Sequence, residues 1–156
     1  MNGWKRWALA LALALCVALA GCGAADLGND QHGQTVTPES LQGQWLVINY
    51  WAEWCAPCRK EIPELNALPS RIDKVRVLGV NFDGLQGDAL LRAAEGMGID
   101  FTVLADNPAE HFGLEPSGVL PVTYLVDERG KVRARLLGEQ TADGLVARLQ
   151  ALREGS

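Results

Sequence analysis

Short apolar runs alternate with amphipathic stretches along the chain from about Pro38. The continuous apolar runs over 45–51 and 75–81 are typical of strands buried on both faces of a sheet. Apolar residues at helical spacing predict helices between them. In chain order we predict a strand over 45–51, a helix over 55–68, a strand over 75–81, a helix over 88–97, a short extended piece over 101–104, a helical segment over 107–113, two strands over 122–126 and 131–137 joined by a turn at 127–130, and a helix from about Thr141. This order predicts one α/β domain over 38–156.

The first 21 residues follow another pattern. Lys5 and Arg6 precede an unbroken apolar run over 7–20, and small residues follow it. A membrane-spanning helix needs about 20 apolar residues, so this run is too short for a lasting span. Basic residues, a short apolar stretch and small residues together are typical of a secretory signal peptide. We therefore predict a removable signal peptide over 1–21.

Residues 22–37 are mostly small and polar and predict a flexible tether. At its start, Leu19-Ala20-Gly21-Cys22 resembles the lipobox of bacterial lipoproteins, in which the cysteine is diacylglyceryl-modified and becomes the mature N-terminus. The resemblance implies that Cys22 is lipidated and that the mature protein is anchored to a membrane without spanning it. The alternative is an ordinary signal peptide with a chance cysteine near its cleavage site.

Composition and charge narrow the class of protein. The 156 residues are 48% hydrophobic and 21% charged, which allows one domain with a real core and excludes a disordered or collagen-like chain. The net charge of −5 argues against nucleic acid as a partner. The four cysteines, Cys16, Cys22, Cys55 and Cys58, are too few and too unevenly placed for a small disulfide-stapled scaffold.

The strongest chemical signal is Cys55-Ala56-Pro57-Cys58, where a strand gives way to a helix. Two cysteines at i and i+3 can close a small disulfide. The first sulfur faces unpaired backbone N–H groups and the positive end of the helix dipole, which favour a thiolate. We therefore predict that Cys55 is the exposed nucleophile and that Cys58 resolves the mixed disulfide.

Other roles for this pair fit the sequence less well. A zinc site needs two more ligands, but there is no second CxxC, and neither His32 nor His111 stands at a zinc-finger spacing, so we predict no metal. Covalent haem needs CxxCH, and Arg59 occupies the last position. A peroxidase would need a separate peroxidatic cysteine. An inert structural disulfide stays open as an alternative.

Three parts of the chain resemble the thioredoxin superfamily. They are the segment 46–65, which contains WCAPCRKEIPEL, the later motif VNFDG, and Leu120-Pro121-Val122-Thr123 with the hairpin and helix after it. The nearest likeness is to its TlpA/ResA-like branch. The resemblance implies a thioredoxin-like fold, with a central mixed β-sheet flanked by helices. It also implies an extracytoplasmic, membrane-tethered thiol–disulfide oxidoreductase that needs no cofactor.

The same resemblance gives roles to four further residues. Pro121 matches a cis-proline that lies beside the CxxC and binds the substrate backbone, and Leu120 before it helps to select partners. Trp54 matches an exposed tryptophan beside the nucleophile. Glu61 matches a glutamate that adjoins the active site, where it would raise a thiol pKa or act as a general base. Asn49 stands where thioredoxin has an aspartate, which makes Glu61 the natural substitute.

We therefore expect a lipid-anchored reductant of disulfides in exported client proteins, re-reduced by a membrane electron donor. Its expected location is the bacterial cell envelope, facing the periplasm. One alternative is an oxidase or isomerase of exported proteins. Another is a chaperone or metal-binding lipoprotein whose disulfide is structural.

Overall fold

A computed structural model describes residues 26–155, which form one five-stranded sheet with helices around it. The strands are β1 (Trp45–Trp51), β2 (Val75–Asn81), β3 (Thr102–Leu104), β4 (Val122–Val126) and β5 (Val132–Leu137). The α-helices are α1 (Ala56–Ala67), α2 (Gly87–Met97), α3 (Ala109–Phe112) and α4 (Ala142–Glu154), and 3-10 turns cover Pro38–Leu41 and Leu68–Ser70. Each predicted element is present, with bounds that differ by a few residues.

The sheet is mixed and has the strand order β3-β2-β1-β4-β5. Strands β1, β2 and β3 are parallel, whereas β4 and β5 run antiparallel to their neighbours. Every residue of the central strand β1 is buried, which explains its unbroken apolar run. The predicted thioredoxin-like fold with a central mixed sheet is confirmed.

Both faces of the sheet carry an apolar core. Helices α1, α2 and α4 cover one face, where Trp51 packs with Leu65, Leu90 and Leu149. The other face is covered by the segment before β1 and by α3. Strand β1 ends and β4 begins at one edge, since Tyr50 pairs with Val122. We call this edge the carboxyl edge of the sheet, because it is also where the parallel strand β2 ends.

Residues 27–36 fold against the sheet, so the predicted tether over 22–37 is wrong for this part. Leu27 and Val36 are only 5% and 7% exposed, and the Leu27 N–H donates to the Val36 carbonyl at 2.9 Å. Asp30 turns the chain by accepting backbone N–H groups of His32 and Gln34. The segment is docked by these two apolar side chains and by backbone hydrogen bonds from Gln31 to Val103 and from Ala105 to Asn29, which a search for apolar periodicity overlooks.

Replacing Leu27 by alanine should lower the free energy of unfolding by about 2 kcal/mol, because the side chain leaves a packed core. Urea denaturation measures the change. The control Gln34→Ala, at an exposed position of the same segment, should stay within about 0.5 kcal/mol of the parent. If Leu27→Ala and the parent were equally stable, residues 27–36 would not contribute to the core and would belong to the tether.

The predicted signal peptide over 1–21 and the predicted lipid site Cys22 lie outside the described residues. Between residues 26 and 155, no helix is both long and apolar enough to cross a membrane.

Candidate active site

The two cysteines lie at the start of α1 and are joined by a disulfide. Cys55 is the N-cap residue, and its Sγ accepts the backbone N–H of Cys58 at 3.3 Å. The first helical turn thus directs an N–H group at the first sulfur, as the spacing predicts. The expected exposure of Cys55 is wrong in degree: it is 4% exposed in the disulfide form, and Cys58 is fully buried.

The local sequence places this pair at the carboxyl edge of the sheet. Strand β1 ends at Trp51, and the Cys55 N–H donates to the Ala52 carbonyl at 3.1 Å in the turn that follows. Pro57 occupies the first helical turn, where a missing N–H costs nothing. Pro63 lies inside α1, yet the helix continues to Ala67 as one element.

Glu61 lies one turn beyond Cys58 on α1 and is fully buried. Its Oε1 accepts the Asn49 Nδ2–H at 2.6 Å, and its Oε2 accepts the backbone N–H of Gln140 at 3.0 Å. Burial raises the pKa of the Glu61 carboxyl to about 7, although both hydrogen bonds lower it; the nearby Glu139 raises it slightly further. The carboxyl therefore changes protonation near neutral pH, inside the apolar core.

Asn49 connects this carboxyl to the neighbouring strand. Its Nδ2 also donates to Thr123 Oγ1 at 3.0 Å, and Asn49 and Thr123 face each other in the register of β1 and β4. Both side chains are fully buried. The roles of Thr123 and of the Gln140 N–H were missed in the sequence, because nothing in the chain indicates which residues 74 or 79 positions away will meet.

The Leu120–Pro121 peptide bond is cis, as predicted. Pro121 directly precedes Val122, the partner of Tyr50, so it lies at the carboxyl edge with the cysteines. Its carbonyl accepts the Gly138 N–H at 2.9 Å. Leu120 is half-buried and packs against the cores of both sheet faces. The chain around the cis bond is therefore held by backbone and apolar contacts.

Trp54 is 66% exposed and directly precedes the first cysteine. Its Nε1–H donates to both carboxylate oxygens of Asp83, at 3.0 and 3.2 Å, and its ring meets the Phe82 ring edge to face at 6.2 Å between centroids. Phe82 and Val119 are also exposed. Phe82 and Asp83 belong to the VNFDG motif, but neither they nor Val119 were assigned a role from the sequence. Trp54, Phe82 and Val119 thus expose apolar side chains at the carboxyl edge, and Asp83 holds the Trp54 ring by its hydrogen bonds.

Within residues 26–155, no group of three His, Cys, Asp or Glu side chains is arranged to hold a metal ion.

Known proteins are similar to this chain in sequence and in fold. The family model described as "AhpC/TSA family" matches residues 21–135. The thiol-disulfide oxidoreductase ResA of Bacillus cereus is 32% identical over 127 residues, covering 79% of this chain and 72% of its own. The thiol:disulfide interchange protein HelX of Rhodobacter capsulatus is 35% identical over 116 residues, covering 73% and 64%. The solved structure of a DsbF homologue from Corynebacterium diphtheriae superposes with a TM-score of 0.68 at 26% identity, covering 80% of this chain and 82% of that one.

Proposed function

This chain belongs to the AhpC/TSA family and is a thiol–disulfide oxidoreductase; we propose that it reduces disulfides of exported proteins while anchored to a membrane by a lipid on Cys22. The observation that carries the proposal is the Cys55–Cys58 disulfide at the start of α1, beside the cis-proline loop. A dithiol in this position exchanges with the disulfides of other proteins.

The exchange proceeds in two steps. The Cys55 thiolate attacks one sulfur of a client disulfide, which forms a mixed disulfide and releases the other client sulfur as a thiolate. Cys58 then loses its proton and attacks the Cys55 sulfur, which releases the second client thiolate and closes the Cys55–Cys58 disulfide. The client gains two electrons and the domain loses two. A membrane electron donor returns them, so that the domain can act again.

We assign Glu61 the role of the base that accepts the proton lost by the Cys58 thiol. The carboxyl lies one turn further along α1, and burial raises its pKa to about 7, so it can accept a thiol proton near neutral pH. Its hydrogen bonds from Asn49 and from the Gln140 N–H stabilise the carboxylate that would do so. The observation that supports this role is that Glu61 is a buried ionisable side chain without a cationic partner in the ion pairs of residues 26–155.

The cis-proline loop and the exposed surface beside it would bind the client. Pro121 and Leu120 would lie along the client backbone, and Trp54 would contact client side chains next to the attacked disulfide. Trp54 supports this assignment because a tryptophan ring that is 66% exposed gains buried area only when a partner covers it.

The lipid anchor rests on the resemblance of residues 19–22 to a lipobox. Since Leu27 is already docked, the chain from Cys22 to Leu27 spans at most about 17 Å when fully extended. An anchored domain would therefore work close to the membrane surface, which suits exchange with a membrane electron donor.

Trp54→Ala should slow the reduction of a protein disulfide such as that of insulin roughly five-fold, while the reduction of a small disulfide stays within two-fold, because only the larger client covers the ring. The free energy of unfolding should change by less than about 1 kcal/mol. Stopped-flow assays with both substrates measure the two rates. Equal slowing with both substrates would remove the client-binding role.

The reduction potential tests the proposed direction of the reaction. Residues 23–156 contain every described element; they are equilibrated in thiol/disulfide buffers, and tryptophan fluorescence is recorded with and without Cys55→Ser. A reversible two-electron transition at or below about −220 mV, lost in the variant, supports a reductant, as expected for a pair separated by the uncharged Ala56-Pro57. A value of about −120 to −180 mV indicates an oxidase or isomerase instead. A chain with no reversible transition would have a structural disulfide.

A further inference from the structure

A cavity of about 350 Å³ lies at the edge of the sheet opposite the cysteines. Trp45, the first residue of β1, lines the cavity. Cys55 lies at the other end of the same strand, after the short turn that follows its last residue, Trp51. Seven strand residues span roughly 20 Å, so the cavity and the disulfide lie at opposite ends of the domain. Neither the exchange reaction nor the client surface uses this cavity.

The charges around the cavity are unlike those of the whole chain. Four cationic side chains line it, Lys74, Arg129, Arg133 and Arg153, against two carboxylates, Asp127 and Glu128. The chain as a whole has a net charge of −5. A local excess of cations on an acidic protein repels other cations and gives one place where an anion is attracted.

Two of the cations are held in place before any ligand arrives. The guanidinium groups of Arg133 and Arg153 lie over the Trp45 ring, at 6.0 and 5.9 Å from its centroid. The Asp127 carboxylate accepts a hydrogen bond from Arg133 Nη1 at 3.2 Å. Arrangement in advance lowers the entropy lost when an anion is bound.

Arg153 lacks an anionic partner among the described residues. Its Nη2 donates to the backbone carbonyls of Asp73 and Lys74 at 2.8 and 3.3 Å, and its Nε is buried with no hydrogen-bond partner within residues 26–155. No carboxylate of the described chain forms an ion pair with it. A half-buried guanidinium in this state still has donor capacity and charge to offer a ligand.

We propose that this cavity binds a phosphate group. Phosphate carries several acceptor oxygens and one or two negative charges, which match the guanidinium donors and the cation excess. The group can belong to a soluble phosphate compound or to the headgroup of an anionic phospholipid. In the second case the bound headgroup places the opposite edge of the sheet against the bilayer, and the Cys55–Cys58 edge faces the clients and the part of the electron donor that projects from the membrane.

The test follows the Trp45 indole N–H resonance of the full chain, labelled with ¹⁵N-tryptophan in micelles of dodecyl maltoside, which carries no phosphate, and assigned with Trp45→Phe. Inorganic phosphate is titrated against sodium chloride of equal ionic strength, which separates binding from screening. In a second arm, dihexanoyl-phosphatidylglycerol replaces part of the dodecyl maltoside, without inorganic phosphate. The first variant is Arg153→Gln. Because Arg153 also donates to backbone carbonyls, a second variant, Arg129→Gln, changes an exposed cation of the turn instead. Arg148→Gln removes the same charge from α4 outside the cavity.

We expect a saturable shift with phosphate and none with chloride, weakened at least five-fold by Arg153→Gln and by Arg129→Gln, and unchanged by Arg148→Gln. The same shift with phosphatidylglycerol assigns the phosphate to a lipid headgroup, whereas a shift with inorganic phosphate alone assigns it to a soluble compound. The absence of a saturable shift in both arms, or equal weakening by Arg148→Gln, would overturn the proposal.

Discussion

Cys55→Ser should lower the rate of disulfide reduction by about 10³-fold or more, because a serine hydroxyl neither ionises near neutral pH nor forms a disulfide. Serine is also a favoured N-cap residue, so α1 should keep its start and the fold should survive. Cys58→Ser should have a different effect. Its Cys55 still attacks, but the mixed disulfide with the client cannot be resolved and accumulates. Turnover is followed by insulin reduction, and the adduct by non-reducing gels and mass spectrometry.

The two serine variants answer two questions: which cysteine attacks the client first, and whether turnover needs both cysteines. Circular dichroism of both variants serves as the control for folding. A stable adduct on Cys55→Ser, formed through Cys58, would reverse the assigned order. Full turnover by Cys55→Ser would show that the disulfide is structural, and the proposed exchange reaction would then fail with it.

Much of the fold could be predicted because its information is local. The apolar run over 45–51 is a strand buried on both faces, and it became the central strand β1. The turn chemistry of 127–130 joins β4 and β5 as predicted, with Asp127 accepting the N–H groups of Arg129 and Lys131. A glycine at position 98 ends α2 with a φ of 69°, in the left-handed region that glycine adopts easily.

The missed features depend on partners that are distant in the chain. Leu27 looks solvated in its own polar segment, and only the far side of the sheet gives it a core to join. The burial of Cys55 likewise depends on the core residues of other elements with which it packs. The position of Glu61 on its helix was evident from the sequence. Its hydrogen bonds were not, since they require the packing of α1 against β1, which brings Asn49 to the carboxyl, and the turn before α4, which brings the Gln140 N–H.

Glu61 should make the free energy of unfolding fall as the pH rises, whereas a carboxyl whose pKa is lowered by folding makes it rise. Its pKa is about 7 in the fold against an ordinary value of 4.5, so the folded state binds the proton more tightly than the unfolded chain. The resulting stabilisation is complete below pH 4.5 and is lost as the pH rises toward about 7. From this shift we expect a loss of about 3 kcal/mol in the free energy of unfolding.

Glu61→Gln mimics the neutral carboxyl, so urea denaturation of the oxidised protein should show the variant gaining on the parent by about 3 kcal/mol between pH 4.5 and pH 8. The control Glu95→Gln, at an exposed position on α2, should keep a constant difference from the parent over the same range. A constant difference for Glu61→Gln as well would mean that the carboxyl titrates normally, and it would then be ionised throughout the working range. In that case Glu61 would be too weak a base to hold the Cys58 proton near neutral pH. The pH profile of stability therefore tests the chemical role of Glu61 without a client, and a matching inflection near pH 7 in the rate of adduct resolution would connect the two.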